Sequence, residues 1–263
     1  MALKTLDHSP QTPVSRYSVP ALEKGLDIIE LLAKEPEGLN LTAIAASLSK
    51  STGEMYRIIQ YLEWRGYIDR DRERDRYSLS FRVFRLAHEH PPLKSLVASA
   101  TPIMENLAFG IGQSCHLVVV DRLSIVIVAQ VDSPLAIRYS VRLGAQFPIH
   151  EKSSGLLLAA FMPKEHFDRL LDELSQTVEK SALEVFRRRV AEVRKAGGED
   201  RESFLVPGIT NLSRPVYSHA GAVVAALTVP YLGQRGNQVS VEDCSLALKL
   251  SAETLSRAQG FQG

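Results

Sequence analysis

Two polar side chains in the first third of the sequence, Arg57 and Gln60, have the chemistry of DNA base readers. They stand three residues apart, which on an α-helix places them on one face about one turn from each other. An arginine can donate two hydrogen bonds to guanine, and a glutamine can bond adenine in a similar bidentate manner. An ordinary solvated helix face carries the same residue types. The pair therefore raises a nucleic-acid hypothesis that the surrounding elements must support.

Further residues extend this candidate DNA surface. Ser51 and Glu54 have the Ser-x-x-Glu spacing of a capping box, which predicts that a helix begins beside Ser51 and that both side chains serve its free amides. Thr52 and Tyr56 follow on the outer side of that helix and could contact phosphate or base. The expected DNA-contacting residues are Ser51, Thr52, Gly53, Tyr56, Arg57, Gln60, Arg74 and Arg76.

Hydrophobic periodicity predicts the helices that position these residues. A first helix would bury one apolar stripe, formed by Leu22, Leu26, Ile29 and Leu32. A second short helix is expected with Thr42 as its cap. The third helix would run from Ser51 to Gly66 and turn inward the residues Met55, Ile58, Ile59 and Leu62. This arrangement leaves the candidate base readers on the outer face.

The segment after the third helix predicts an exposed, charged hairpin. Short strands at residues 67–68 and 77–79 flank a loop at residues 69–76, which is too polar to be buried. One or two of its arginines are expected to meet phosphates, and the others to be neutralised by acidic neighbours. The alternating arginines are Arg70, Arg72, Arg74 and Arg76. Three helices followed by such a hairpin predict a winged helix-turn-helix.

Charge gives this region only a weak nucleic-acid signature. Residues 50–85 contain nine lysines and arginines against six acidic residues, and the whole chain has a net charge of +1. Nucleic-acid-binding domains usually carry a stronger basic excess. A second hypothesis therefore stays open, in which the N-terminal module serves only for dimerisation and the remainder is a ligand-binding or enzymatic α+β domain.

The remainder of the chain predicts an α+β domain with an antiparallel sheet. A linker at residues 88–92 precedes a long helix over residues 93–107, with a kink at Pro102. The expected strands occupy residues 116–120, 125–131, 136–141, 209–217 and 223–229. The expected helices occupy residues 153–161, 164–174, 182–196 and, beginning at a cap on Ser240, the segment to about residue 259.

Several function classes are disfavoured by composition. No apolar run approaches the roughly 20 residues that span a bilayer, so a cytoplasmic protein is expected. Two cysteines cannot form a disulfide framework or a four-cysteine metal site. Ser47 and Lys50 match a Ser-x-x-Lys pattern without its partner motif, and the glycine pair at residues 110 and 112 lacks the third glycine of a dinucleotide loop. No catalytic residue, metal or cofactor is expected, and His116 is interpreted as a core histidine.

Six blocks of sequence resemble the IclR family of bacterial transcriptional regulators. The N-terminal blocks are Ala21-Leu-Glu-Lys-Gly-Leu-Asp-Ile-Ile-Glu-Leu-Leu32 and Tyr56-Arg-Ile-Ile-Gln-Tyr-Leu-Glu-Trp-Arg-Gly-Tyr-Ile68. The C-terminal blocks are Cys115-His-Leu-Val-Val-Val120, Arg142-Leu-Gly-Ala-Gln-Phe-Pro-Ile-His150, Ser153-Ser-Gly-Leu-Leu-Leu-Ala-Ala160, and Pro207-Gly-Ile-Thr-Asn-Leu-Ser-Arg-Pro-Val216 followed by Ala225-Ala-Leu-Thr-Val229. The order and spacing of these blocks across two domains make the resemblance specific.

The resemblance implies an N-terminal winged helix-turn-helix joined by a linker helix to a GAF-like, antiparallel-sheet effector-binding domain. The boundaries that it implies are a disordered tail at residues 1–17, a DNA-binding domain at 18–87, a linker with its helix at 88–109 and an effector-binding domain at 110–263. The implied partners are double-stranded operator DNA, a small organic or aromatic acid, and further copies of the chain in a homodimer or a dimer of dimers (a homotetramer). No membrane partner is expected.

The resemblance also places the effector between the small-residue helix and the second hairpin. Family members often have Cys where Asn211 stands and serines near Thr228 and Pro230, so the outline of the pocket carries over better than its ligand. The start of the third helix departs from the commoner Pro-Lys-Ser-Thr, because Thr52 and Glu54 replace its Lys and Thr. The expected effector-binding residues are Leu143, Gly144, Phe147, His150, Ser153, Gly155, Leu156, Asn211 and Thr228.

Overall fold

A computed structural model describes residues 18–89, 91–203, 206–233 and 239–262 of the chain. The chain divides into two compact units, Met1–His90 and Pro91–Gly263. The predicted tail at residues 1–17 lies outside the described residues, as does His90 of the predicted linker. Among the described helices, none is long and apolar enough to cross a membrane.

The first unit is a winged helix-turn-helix, as the sequence predicts. Its elements are α1 (Pro20–Leu32), α2 (Leu41–Ser47), α3 (Thr52–Trp64), β1 (Ile68–Asp71), β2 (Arg76–Leu79) and α4 (Phe81–Glu89). The core joins all three leading helices to the hairpin, since Ile28, Ile44, Met55 and Tyr77 are buried together. Helix α4 was not expected from the sequence.

Side-chain caps fix where α2 and α3 begin. The side chain of Asn40, and not the predicted Thr42, caps α2 by accepting a hydrogen bond from the Ala43 amide at 2.8 Å. Ser51 caps α3 as predicted and accepts from the Glu54 amide at 3.3 Å. Between the helices Ser49 has a φ of 55°, a left-handed conformation that costs a non-glycine residue roughly 1–2 kcal/mol. The two caps and the left-handed residue together fix the sharp turn between α2 and α3.

The predicted buried stripe of α1 is wrong in its first turns. Leu22 and Leu26 are 59% and 50% exposed, whereas Gly25, Ile28 and Leu32 are the buried positions. A Cβ at Gly25 would lie 3.8 Å from the Ile58 side chain, so α1 packs on α3 through its glycine side. The apolar pattern of α1 contains two stripes, and packing buries only one of them.

Gly38 ties the wing to the loop between α1 and α2. Leu39 and Tyr77 exchange backbone hydrogen bonds of 2.9 and 2.8 Å. Gly38 has a φ of +66°, and a Cβ there would lie only 2.5 Å from the Tyr77 carbonyl oxygen. Arg76 of β2 donates to the carbonyl oxygens of Glu37 and Gly38 at 3.3 and 3.0 Å. The wing is thus held by backbone contacts that leave no room for a side chain at Gly38.

The second unit is an α+β domain built on one antiparallel sheet. Its elements are α5 (Pro91–Ile111), β3 (Cys115–Asp121), β4 (Ser124–Val131), β5 (Gln146–Pro148), α6 (Ser153–Phe161), α7 (Lys164–Leu174), α8 (Lys180–Ala196), β6 (Glu199–Glu202), β7 (Ile209–Tyr217), β8 (Val223–Leu232) and α9 (Val241–Ala258). The strand order is β5-β4-β3-β8-β7-β6, with every neighbouring pair antiparallel. Helices α5 and α9 cover one face, and α6, α7 and α8 cover the other.

The strand predicted at residues 136–141 does not form. That segment is irregular, and Ile137 within it is 68% exposed. Pairing with β4 begins only at Gly144, whose amide donates to the Ile127 carbonyl at 2.9 Å. The short strand β5 then follows at Gln146–Pro148. The charged edge strand β6 was also not expected, because its four residues, Glu199–Glu202, lack any apolar alternation.

Gly38→Ala should destabilise the first unit more than Gly66→Ala. Both glycines have φ near +70° (+66° and +71°), but a Cβ at Gly66 meets nothing within 4 Å. Gly66→Ala therefore bears only the left-handed conformational cost of roughly 1–2 kcal/mol, whereas Gly38→Ala must also displace the Tyr77 carbonyl. Urea unfolding of the full chain, followed by the fluorescence of Trp64, measures the difference. Equal losses would show that the approach to Tyr77 does not limit position 38.

Candidate functional site

Helix α3 presents the predicted DNA-contacting residues on an open face. Met55, Ile59 and Leu62 are buried against the core of the first unit. The opposite face is exposed, and Gln60 at its border is half-buried. The exposed candidate residues are Ser51, Thr52, Gly53, Tyr56 and Arg57. The predicted division of α3 into an inner and an outer face is confirmed.

Two side chains of α3 already have partners within the unit. The amide of Gln60 donates to the Glu63 carboxylate at 3.3 Å. The Glu54 carboxylate forms an ion pair with Lys24 of α1, and the hydrogen bond from Lys24 lowers the pKa of Glu54. Glu54 does not complete the predicted capping box with its side chain. Lys24 instead compensates the negative charge of Glu54 in the first turn of α3, a charge that would repel a phosphate.

The wing arginines divide into two kinds. Arg70 pairs with Asp75 at 2.6 Å, and Arg76 donates to the two carbonyl oxygens of the α1–α2 loop. These two stabilise the hairpin itself. Arg74 is 74% exposed at the side chain and lies 3.9 Å from Asp71, and Arg72 beside it is exposed. The tip of the wing therefore offers Arg72 and Arg74 to a phosphate.

A row of polar side chains crosses the sheet of the second unit beneath α6. His116 on β3 stands opposite Thr228 on β8, and Thr228 stands opposite Ser213 on β7. The hydroxyls of Ser213 and Thr228 are 2.9 Å apart and hydrogen-bonded. All three residues are buried. They share the face of Ala226 and Val118, which belong to the core that contains α6.

Burial determines the charge of His116. Desolvation lowers the pKa of its imidazole to about 4, so the ring is neutral near pH 7. Asn211 lies on β7 opposite Pro230, two residues before Ser213, and so on the same face. The polar row therefore offers hydroxyl, amide and neutral imidazole groups. The family resemblance places Thr228 and Asn211 among the expected effector contacts but not Ser213, and the sequence predicts His116 as a core residue. Ser213 and His116 are nevertheless each a polar residue within an apolar strand.

The other predicted effector residues lie around α6 and β5. Gly155 is explained by packing, because a Cβ there would lie 2.1 Å from the Ile149 carbonyl oxygen. Phe147 lies under the Lys152 ammonium, 4.8 Å from its ring centroid. His150 is half-buried, and desolvation lowers its pKa; its Nδ1 has no hydrogen-bond partner among the described residues.

Four further predicted residues lie on α6 and on the loop before β5. Leu156 is fully buried in α6, and Ser153 is its half-buried first residue. Leu143 is 59% exposed, and Gly144 beside it turns the chain with a φ of +76°. Leu143 and Gly144 thus lie on the loop before β5 rather than in the core. Helix α6 carries Ser153, Gly155 and Leu156. It packs on both β7 and β8, the strands that carry Asn211 and Thr228.

The two cysteines of the chain are buried, and burial makes their thiols unreactive. Cys115 and Cys244 are buried free thiols, and desolvation raises the pKa of each to about 12. They remain protonated and pack as small apolar groups. No group of three or more His, Cys, Asp or Glu side chains in the described ranges could hold a metal ion.

A winged helix-turn-helix whose third helix presents an exposed face is the architecture of a DNA-binding protein. The chain belongs to the IclR family of bacterial transcriptional regulators. Residues 21–72 match the family described as the IclR helix-turn-helix domain. Residues 93–257 match the bacterial transcriptional regulator IclR C-terminal domain. The protein is a transcriptional regulator with a DNA-binding and an effector-binding domain.

Relatives cover almost the whole chain. The regulator KdgR of Escherichia coli is 26% identical over an alignment of 266 positions, which covers 99% of this chain and 98% of KdgR. The regulator XynR of the same organism is 25% identical over an alignment of 252 positions, which covers 92% of this chain and 98% of XynR. An IclR homologue from Microbacterium hydrocarbonoxydans, solved in complex with 4-hydroxybenzoate, has a TM-score of 0.75 at 21% identity and covers 91% of this chain and 98% of its own.

The buried imidazole of His116 should make stability depend on pH. The folded pKa of about 4 lies below the unfolded value of about 6.5, so the unfolded chain binds the proton more readily. The contribution of His116 to the free energy of unfolding is fully present above the unfolded pKa and is lost as the pH falls from that value toward the folded pKa of about 4. Between pH 7 and pH 5 the free energy of unfolding should fall by about 2 kcal/mol through this group alone.

Urea unfolding of the wild type and of His116→Gln at both pH values measures this contribution. The variant should lose less stability on acidification than the wild type, and the difference isolates His116 from other titrating groups. The same pH dependence in both proteins would contradict a neutral, desolvated ring at this position.

Proposed function

We propose that the chain reads operator DNA through the outer face of α3 and the wing, and that a small organic or aromatic acid bound in the second unit controls this binding. The observation that carries this proposal is the outer face of α3, where the exposed first turn of the helix is followed by the exposed Arg57 and the half-buried Gln60. The helix-turn-helix family match favours this function over a module that only dimerises. The proposed DNA contacts are Ser51, Thr52, Gly53, Tyr56, Arg57, Gln60, Arg74 and Arg76.

The proposed contacts differ in what they contribute. Arg57 and Gln60 would bond base edges in the major groove and supply sequence specificity. The exposed first residues of α3 would face a phosphate with their free backbone amides. Arg74 at the wing tip would meet a neighbouring phosphate. Arg76 already bonds two carbonyl oxygens, so its contribution would be mainly to hold the wing.

The proposed effector site is the face of the sheet covered by α6. Thr228, Asn211 and neutral His116 would bond the oxygen atoms of the acid, and the first amides of α6 would face its carboxylate. The aromatic class is suggested by the homologous structure in complex with 4-hydroxybenzoate. The remaining proposed contacts are Leu143, Gly144, Phe147, His150, Ser153, Gly155 and Leu156.

The proposed function also requires that copies of the chain associate with one another. Val19, Leu22 and Leu26 form an exposed apolar face on α1, which suits pairing of two DNA-binding units in a homodimer. Leu246 and Leu250 form a second exposed apolar pair on α9, which suits a dimer of dimers. Two reading helices about one turn of DNA apart would multiply specificity. We further propose that the protein is cytoplasmic and has no catalytic activity, as its regulatory relatives suggest.

Effector and operator would be coupled through the arrangement of the dimer. The acid shifts the equilibrium between two arrangements only by its differential affinity for them. Helix α5, at the start of the second unit, would pass the change to the spacing of the reading helices. Reciprocity then requires that operator DNA change the affinity for the acid by the same factor.

Arg57→Ala and Gln60→Ala should each reduce operator affinity by about 1–3 kcal/mol, or roughly 5- to 150-fold. Gel shift against the intergenic DNA beside the protein's own gene, with competitor DNA, measures the loss. Lys164→Ala is the matched control, because it removes one exposed positive charge from the second unit.

Salt dependence separates the base readers from the phosphate contacts. Arg74→Ala should weaken all sequences alike and reduce the salt slope by about one, whereas Gln60→Ala should change the preference between sequences. Sedimentation should show unchanged self-association in each variant. Full operator affinity in both Arg57→Ala and Gln60→Ala would contradict α3 as the reading helix.

Thr228→Val and Asn211→Leu should each weaken binding of 4-hydroxybenzoate about 5-fold, because each removes a hydrogen bond of about 1 kcal/mol. Calorimetry of the full chain measures acid binding, and gel shift with and without the acid measures the coupling. Thr177→Val is the control, since this threonine is exposed in the turn between α7 and α8. Unchanged acid affinity in both site variants would place the acid elsewhere, and equal operator affinity with and without bound acid would contradict the coupling.

A further inference from the structure

Two large aromatic side chains are exposed at the C-terminal end of α3. Trp64, the single tryptophan of the chain, is 76% exposed, and Tyr61 is 55% exposed. Their ring centroids are 5.7 Å apart at an angle of 39°. Large aromatic residues bury most of their area in folded proteins and are enriched where proteins bind partners. We call this pair, with Arg65, the aromatic ledge.

The aromatic ledge continues the outer face of α3. Trp64 follows Arg57 by seven residues and Gln60 by four, and these spacings place all three side chains on one side of the helix. The rise of 1.5 Å per residue puts Trp64 about 10 Å beyond Arg57 along the axis. The major groove is about 12 Å wide. Recognition helices contact base edges through their N-terminal residues. If α3 enters the groove in this way and reads bases through Arg57, its later turns would carry the ledge toward the border of the groove, where the sugar-phosphate backbone lies.

The aromatic ledge combines exposed rings with a positive charge, and both groups can contact the sugar-phosphate backbone of DNA. The Arg65 guanidinium donates to the Tyr61 hydroxyl at 2.9 Å and lies 5.8 Å from the centroid of the Tyr61 ring. A positive charge is thus fixed beside exposed aromatic rings. Aromatic faces pack against deoxyribose, and guanidinium groups bond phosphate. The nearest acid of α3, Glu63, is half-buried and accepts from Gln60.

We propose that Trp64, Tyr61 and Arg65 form a second DNA contact of α3, which packs on the sugar-phosphate backbone beside the bases read by Arg57 and Gln60. This inference rests on the proposed role of α3 as the reading helix. The contact adds affinity that depends little on sequence, because sugars and phosphates are common to all sites. It also fixes how deeply the start of α3 enters the groove.

The single tryptophan allows a direct test in the full chain. Titration with the intergenic DNA should quench and shift the emission of Trp64 and reduce its access to acrylamide. Trp64→Ala should weaken binding of both operator and unrelated DNA by roughly 5- to 30-fold, and Trp64→Phe should restore part of the loss. Val185→Ala is the control, since this apolar residue on α8 is 45% exposed and lies in the other unit.

The outcomes separate this inference from the proposed function. DNA binding by gel shift with unchanged Trp64 emission, and normal binding by Trp64→Ala, would overturn the ledge and leave α3 as the reading helix. Shielding of Trp64 by raised protein concentration without DNA would overturn it as well, because the ledge would then be a contact between copies. Failure to bind any DNA would overturn both proposals together. Circular dichroism of Trp64→Ala excludes unfolding as the cause of lost affinity.

Discussion

Burial of one side of α3 is the interaction on which the DNA-binding unit depends. Met55 and Ile59 are fully buried, and Leu62 nearly so, against α1, α2 and the wing. Each such side chain contributes about 1.5–3 kcal/mol through burial. The same helical period that turns these residues inward turns Arg57 outward, so stability and DNA contact are set by one orientation of one helix. A rotation of α3 about its axis would lose both at once.

The second unit keeps polar side chains buried inside a sheet that is covered by helices on both faces. The alternation along β7 and β8 sends Leu212, Leu227 and Val229 toward α5 and α9. The intervening Ser213 and Thr228 point to α6 and satisfy each other by a hydrogen bond. Burying such groups costs free energy unless they are paired. Their retention beneath a helix of small residues is consistent with a site that exchanges these internal bonds for bonds to a ligand.

The sequence predicts a helix or a strand correctly wherever a single hydrophobic period dominates the segment. Helices α2, α3 and α5 to α9, and strands β3, β4, β7 and β8, fall close to their expected places. The pattern of α1 predicts a helix correctly, but Leu22 and Leu26 show that periodicity alone cannot decide which of two apolar stripes is buried. The charged strand Glu199–Glu202 forms because it pairs with β7, and not because its residues favour a β-strand. His116 and Ser213 join Thr228 only through cross-strand register, which no local pattern reveals.

The ion pair between Lys24 and Glu54 has an evolutionary consequence. Position 54 lies in the first turn of α3, the proposed reading helix, where under that proposal a change of residue would alter which DNA sequences are favoured. Its carboxylate is neutralised from a different helix, α1, so a substitution at position 54 leaves an unpartnered lysine, and a substitution at position 24 leaves an unpartnered acid beside phosphate. Lineages that change their operator through this turn must alter both positions, and the two should covary among descendants of this regulator.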